Sequence, residues 1–236
     1  MAPRATAATT PPWRSPSPKP NNQSGQAERC RLYLITPPAL EPDSFAEQLA
    51  AALDDGDVAC VQLRLAKVGE AELLAAARVL MPVCHQRDVA FLIDGRIDVA
   101  AQAGADGVHL ASPSGIVEAR LRLNQDAIIG VSCGGSRHAG MLAAEGEVDY
   151  VSFGAFYPST TKPDALVIEP DILSWWGDLM ETPCAAVGGI TVATAPAMVA
   201  AGANFLAVSG AVWSHPDGPA AAVAAFNAAI ESTTPT

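Results

Sequence analysis

The sequence predicts an α/β protein: a (β/α)₈ TIM barrel over residues 28–236, preceded by a disordered N-terminal tail over residues 1–27. Three observations lead there. From Arg31 onward a short apolar run, a polar or glycine break and an alanine-rich stretch recur eight times. The runs are continuously apolar, as strands of a parallel sheet must be when helices cover both faces. The first run is followed by Thr36-Pro37-Pro38, and not by the G-x-G-x-x-G turn that a doubly wound dinucleotide-binding sheet would carry there.

The tail comes first in the chain. It holds Arg4, Arg14 and Lys19 but no acid, with prolines at 3, 11, 12, 16, 18 and 20. Such a segment cannot bury enough apolar surface to offset the entropy of ordering it. It lacks the apolar stretch of a secretory signal, and its prolines oppose the amphipathic helix of a transit peptide.

The candidate strands are Leu32–Thr36, Val58–Arg64, Val89–Asp94, Gly107–Leu110, Ile128–Ser132, Tyr150–Gly154, Ala185–Gly188 and Phe205–Ser209. Helices are expected near 43–55, 70–87, 97–104, 115–123, 136–145, 170–177, 191–202 and 218–230. Asp43 with Ser44 is expected to cap the first of these, and Thr191 the seventh. Gly56, Gly104, Gly146 and Gly202 follow helices, where a left-handed residue ends them. No charged residue lies between Pro183 and Ser214, but glycines and Pro196 break that stretch, so buried α/β elements explain it better than a membrane span.

Composition narrows the function. The 236 residues carry 14 Lys+Arg against 25 Asp+Glu, a net charge of −11. That balance opposes binding to nucleic acid or to an anionic membrane, both of which need basic patches. Cys30, Cys60, Cys84, Cys133 and Cys184 are odd in number, widely spaced and free of C-x-x-C pairs, which excludes a disulfide framework and a zinc ribbon. They read as small core residues in a reduced, cytoplasmic protein. Oligomeric state stays open, a homo-oligomer included.

In a barrel, chemistry is read at the C-terminal ends of the strands. Those ends hold Thr36, Arg64, Asp94 with Arg96, His109 with Ser112 and Ser114, Ser132, the loop 154–162, Gly188-Gly189 and Ser209-Gly210. Three cations (Arg64, Arg96 and Lys162) in so acidic a chain point to an anionic ligand. Gln62 and Arg64, two apart, share a strand face, and Val61 and Leu63 share the other. An amide and a guanidinium inside a barrel need partners. These are a ligand or, as the bland alternative, an ion pair from Arg64 to Asp94.

Glycines at the ends of strands seven and eight offer backbone N–H groups where barrels hold phosphate. The loop with Ser159, Thr160, Thr161 and Lys162 reads as a phosphate clamp or as a solvated turn. His109 reads as a ligand contact or a satisfied core histidine. An H-E-x-x-H motif is absent from the sequence.

Taken in order, the segments Leu32-Tyr33-Leu34-Ile35-Thr36, Val61-Gln62-Leu63-Arg64, Phe91-Leu92-Ile93-Asp94-Gly95-Arg96, Ala105-Asp106-Gly107-Val108-His109, Ile129-Gly130-Val131-Ser132, Ser159-Thr160-Thr161-Lys162, Val187-Gly188-Gly189-Ile190 and Val208-Ser209-Gly210 resemble the thiamine phosphate synthase family, which shares its barrel with the thiazole tautomerases. The resemblance implies a transferase of thiamine biosynthesis that joins hydroxymethylpyrimidine pyrophosphate to thiazole phosphate, expelling pyrophosphate with Mg²⁺. It implies Gln62 on the pyrimidine, and Asp94 and His109 are further substrate-binding candidates. It puts Arg64 and Lys162 on the pyrophosphate, with Ser132 by the leaving group as the third catalytic residue. Ser159, Thr161, Gly188, Gly189, Ser209 and Gly210 would hold the thiazole phosphate.

Two departures stand out. The family's Asn-Asp-Arg appears as Asp94-Gly95-Arg96, and its His-x-Gly-Gln-x-Asp as His109-Leu110-Ala111-Ser112-Pro113-Ser114. Both Mg²⁺-binding Asp positions are thereby lost to Gly95 and Ser114, leaving Asp94 as the one candidate metal ligand and Mg²⁺ expected to bind weakly. The tautomerase histidine falls on Gly134. The alternatives are a paralogue that binds a thiamine-related phosphate without turnover, and another phosphate-handling barrel enzyme.

Overall fold

A computed structural model describes residues 29–54, 56–159 and 164–233. Eight strands form the sheet: β1 (Arg31–Ile35), β2 (Val58–Leu63), β3 (Ala90–Asp94), β4 (Gly107–Leu110), β5 (Ile128–Gly134), β6 (Tyr150–Phe153), β7 (Cys184–Val187) and β8 (Phe205–Val208). Each pairs in parallel with the next, and β1 pairs with β8, closing the expected barrel. Around it lie α1 (Pro42–Leu53), α2 (Glu70–His85), α3 (Ile97–Ala103), α4 (Ile116–Arg122), α5 (Arg137–Glu145), α6 (Asp171–Leu179), α7 (Ala195–Ala200), α8 (Gly210–Trp213) and α9 (Gly218–Glu231). Among the described residues no helix is long and apolar enough to cross a membrane. The tail expectation falls on residues outside those described.

Strand alternation sorts the core into two compartments. Val61, Leu63, Phe91, Ile93, Ile129 and Val131 point outward and pack against the helices. Tyr33, Cys60, Leu92, Ile128, Tyr150, Ala185 and Ala207 point into the lumen. The lumen is filled by side chains, and its tightest fit is at β5. A Cβ on Gly130 would lie 2.0 Å from the ring of Tyr150. Glycine is there because the aromatic ring of the neighbouring strand occupies the space. All five cysteines are buried and unpaired. Burial pushes their thiols up, that of Cys184 to about 11, which keeps them protonated core residues.

The helix ends differ from expectation in four places. Glu41, and not Asp43 or Ser44, caps α1: its carboxylate accepts from Ser44 N at 2.9 Å. Thr194, not Thr191, precedes α7, and its hydroxyl accepts from Thr191 N at 2.9 Å, so a turn occupies 191–194 before the helix starts. Gly104 and Gly202 adopt the left-handed conformation, whereas Gly146 (φ −84) and Gly56 do not, and a Cβ at Gly56 would strike Val223. The helix α8, too short to carry a periodicity, is an additional turn between β8 and the helix expected at 218–230, which α9 matches. Strand ends shift by one or two residues, so Thr36, Arg64, Gly188 and Ser209 each stand just beyond their strand.

Replacing Gly130 with alanine should force Tyr150 from its place and destabilise the protein by about 2 kcal/mol, lowering the melting temperature by about 4–8 °C. Thermal unfolding followed by circular dichroism tests this; an unchanged melting temperature would show that the lumen has slack.

Candidate active site

The inward face of β2 places Gln62 in the lumen at 3% exposure, and both ends of its amide are hydrogen-bonded there. Its Nε2 donates to Asp94 Oδ1, and its Oε1 accepts from the Tyr33 hydroxyl at 2.8 Å. The Tyr33 and Tyr150 hydroxyls are 2.8 Å apart, and Tyr150 lies 2.8 Å from His109 Nδ1. Five residues from β1, β2, β3, β4 and β6 thus form one hydrogen-bonded chain across the barrel. The rings support it by edge contacts between Tyr33 and both Tyr150 and His109.

Proton counting gives this chain a direction. An ionised carboxylate only accepts, so Asp94 requires the NH₂ end of Gln62, which turns Oε1 toward Tyr33. Burial pushes both phenols well above their ordinary range, so each keeps its one proton. Tyr33 spends its proton on Gln62, and Tyr150 must donate to Tyr33. The hydrogen bond at Tyr150 is then donated by His109 Nδ1–H. In neutral His109 the ring proton then sits on Nδ1.

Sequence reasoning found Gln62, Asp94 and His109 but missed Tyr33 and Tyr150, which sit in apolar runs like core aromatics. Two signals pointed to them: Tyr33 shares the inward parity of its barrel layer with Gln62, and Gly130 in a strand interior marks a close approach.

At the mouth, Thr36 ties three strand ends together. Its buried hydroxyl accepts from Arg64 N at 2.9 Å, and its carbonyl accepts from Ser209 Oγ at 3.4 Å. Trp213 Nε1 donates to Ile35 O at 2.7 Å and so holds α8 beside the same end. Arg64 is half-buried, and no salt bridge joins it to Asp94 or to any other described carboxylate. The ion pair considered from sequence is not formed. Arg96 corrects the expectation of three mouth cations: it pairs with Asp98 at 2.9 Å and Glu70 at 3.3 Å, a surface network at the start of α3.

Gly188 and Gly189 have φ of +99° and +64°, and side chains there would strike Ala155, Tyr157 and Pro158. The chain after β6 runs along this turn, with Tyr157 N donating to Gly188 O at 3.1 Å. Ser159 is therefore brought toward Gly188-Gly189, while Ser209-Gly210 opens α8 on the next strand. Thr161 and Lys162 lie outside the described residues. Ser132, half-buried, stands on the inward face of β5 opposite Ser152.

The donor set does not fit a protein-held Mg²⁺. Gly95 has no side chain, Ser114 is hydrogen-bonded to Ser112 at 2.8 Å, and among the described residues no three His, Cys, Asp or Glu side chains gather to hold a metal.

The proton order has a direct readout. Measured well above the ordinary histidine pKa of about 6.5, the ¹⁵N shifts of His109 should report the Nδ1–H tautomer. Tyr150→Phe should release it toward Nε2–H. A wild-type His109 already carrying its proton on Nε2 would contradict the derived direction.

Known proteins agree with this architecture. A sequence model of the family described as thiamine monophosphate synthase matches residues 32–212. The chain is 57% identical over 199 residues to a protein of Rhodospirillum centenum named thiamine-phosphate synthase, covering 84% of this chain and 96% of that one. It is 47% identical over 210 residues to one of the same name from Hyphomonas neptunium, covering 86% and 95%. Among solved structures, a thiamine phosphate pyrophosphorylase from Pyrococcus furiosus superposes with a TM-score of 0.76 at 28% identity, over 88% of this chain and 98% of that one. With the match running from the first strand into the short helix after the eighth, the chain belongs to the thiamine monophosphate synthase family.

Proposed function

We propose that the protein is a thiamine-phosphate synthase: it joins hydroxymethylpyrimidine pyrophosphate to thiazole phosphate and releases pyrophosphate. The likeness to proteins bearing this name over more than four-fifths of the chain carries the reading, and it favours a working enzyme over a binding-only paralogue. In the reaction the thiazole ring nitrogen supplies a lone pair to the pyrimidine methylene carbon. The carbon–oxygen bond breaks, and its electron pair leaves with pyrophosphate.

The site supplies the parts for this. Arg64, unpaired with any described carboxylate in a chain of net charge −11, takes the pyrophosphate together with Lys162. Ser132 stands by the leaving group. Gln62, Asp94 and His109 hold the pyrimidine over the lumen. The thiazole phosphate rests on Gly188, Gly189, Ser209 and Gly210, with Ser159 and Thr161 over it. That is the end of the barrel where backbone N–H groups and a short extra helix receive phosphate. Its setting is the cytoplasm, in keeping with five buried, unpaired cysteines.

A steady-state assay with both substrates should yield thiamine phosphate and pyrophosphate. Arg64→Ala should lower kcat/KM by about 10²–10³-fold with little change in melting temperature, because the guanidinium has no described ion-pair partner to lose. An inactive wild type would refute the synthase, and undiminished turnover in Arg64→Ala would remove Arg64 from it.

Mg²⁺ is proposed to bind weakly, with Asp94 as its one carboxylate, so the leaving group's charge falls mainly on Arg64 and Lys162. Calorimetric titration of the protein with Mg²⁺ should show weak uptake. The double variant Gly95→Asp, Ser114→Asp should bind it more tightly, although Gly95 at φ +66° makes the first change a strained one. Equal affinity in the two proteins would argue against those positions as the metal site.

A further inference from the structure

We infer that Ser152 determines specificity at this site: its hydroxyl hydrogen-bonds the pyrimidine ring of the first substrate. The inference rests on the synthase reading and extends it to a residue that the family pattern did not single out. Three polar residues are buried in the described structure: Thr36, Gln62 and Ser152. The first two have partners within the protein. Ser152, only 4% exposed, has no hydrogen-bond partner for its hydroxyl among the described residues. A buried hydroxyl without a partner is costly, and alanine would fill nearly the same space without that cost.

Its position says what could satisfy it. Ser152 follows Tyr150 by two on β6 and so shares the inward face, one step nearer the mouth than the hydrogen-bonded chain. It sits in register with Ser132 on β5 and Ala185 on β7. Beyond that row the β5–β6 ladder slips, so this is the last regular pair below the opening. The wall formed by β5, β6 and β7 contains no charged side chain. An uncharged ring suits that wall at Ser152, with the pyrophosphate that the same substrate carries reaching past Ser132 toward Arg64.

Of the two rings, the pyrimidine fits. It offers two ring nitrogens as acceptors for a hydroxyl. The thiazole has one ring nitrogen, and that nitrogen must keep its lone pair for the new bond.

The test is calorimetry on the full-length chain, with each substrate titrated alone. Ser152→Ala should weaken hydroxymethylpyrimidine pyrophosphate by about 3- to 10-fold, leave thiazole phosphate unchanged, and leave the melting temperature equal or higher. If the wild type binds both ligands and the variant binds both equally well, Ser152 is a structural orphan and the inference falls alone. Weakened thiazole phosphate with unchanged pyrimidine would overturn the assignment of the ring. A wild type that binds neither would overturn the synthase reading and this inference with it.

Discussion

Four hydrogen bonds inside a closed barrel organise the rest of the molecule. Asp94, Gln62, Tyr33, Tyr150 and His109 come from five different strands, and three of them are at most 5% exposed. In a low-dielectric lumen each donor must find an acceptor, because an unmet one loses the full benefit of its former contact with water. Asp94 can only accept, and every other link follows from that end. The strands that carry these groups are thereby held in one register by polar contacts as well as by the backbone ladder. The inner wall is polar on the side of β1–β4 and, apart from Tyr150 and two hydroxyls, apolar on the side of β5–β7.

The mouth is built differently. There the side chains are anchored by backbone groups at the strand ends, with Thr36 joining β1 to the residues after β2 and β8, and Trp213 fastening α8 against Ile35. Arg64 is oriented by its main chain while its guanidinium has no described salt bridge. Arg96, two residues from Asp94, is consumed by Asp98 and Glu70. Two arginines that look equivalent in the sequence therefore differ in availability, and the difference lies in which carboxylates the following helices bring alongside.

Much of the fold was legible because eight apolar runs and their helical spacers are local patterns. The inward face of β2 was legible for the same reason: parity alone sets Gln62 against Val61 and Leu63. The hydrogen-bonded chain was not. Its contacts join residues 29, 117 and 41 positions apart, and a tyrosine in an apolar strand reads as core until its partner is known. The cap of α1 was missed because Pro42 lets the helix start one residue before Asp43, passing the capping role to Glu41. Four residues of α8 are too few for any period to show. The ordered set of strand-end motifs, each weak alone, still led to the family that the comparisons give.

The contact between Gly130 and the Tyr150 ring also constrains how such sequences can drift. The lumen has a fixed volume, so a larger residue at 130 is admissible only after 150 has shrunk. Shrinking 150 removes the hydroxyl that joins Tyr33 to His109, and each of them loses a hydrogen bond at once. The two positions can exchange bulk only through an intermediate that is worse than either end. A lineage that holds glycine at one and tyrosine at the other is thus kept in that state by the order in which the changes would have to come.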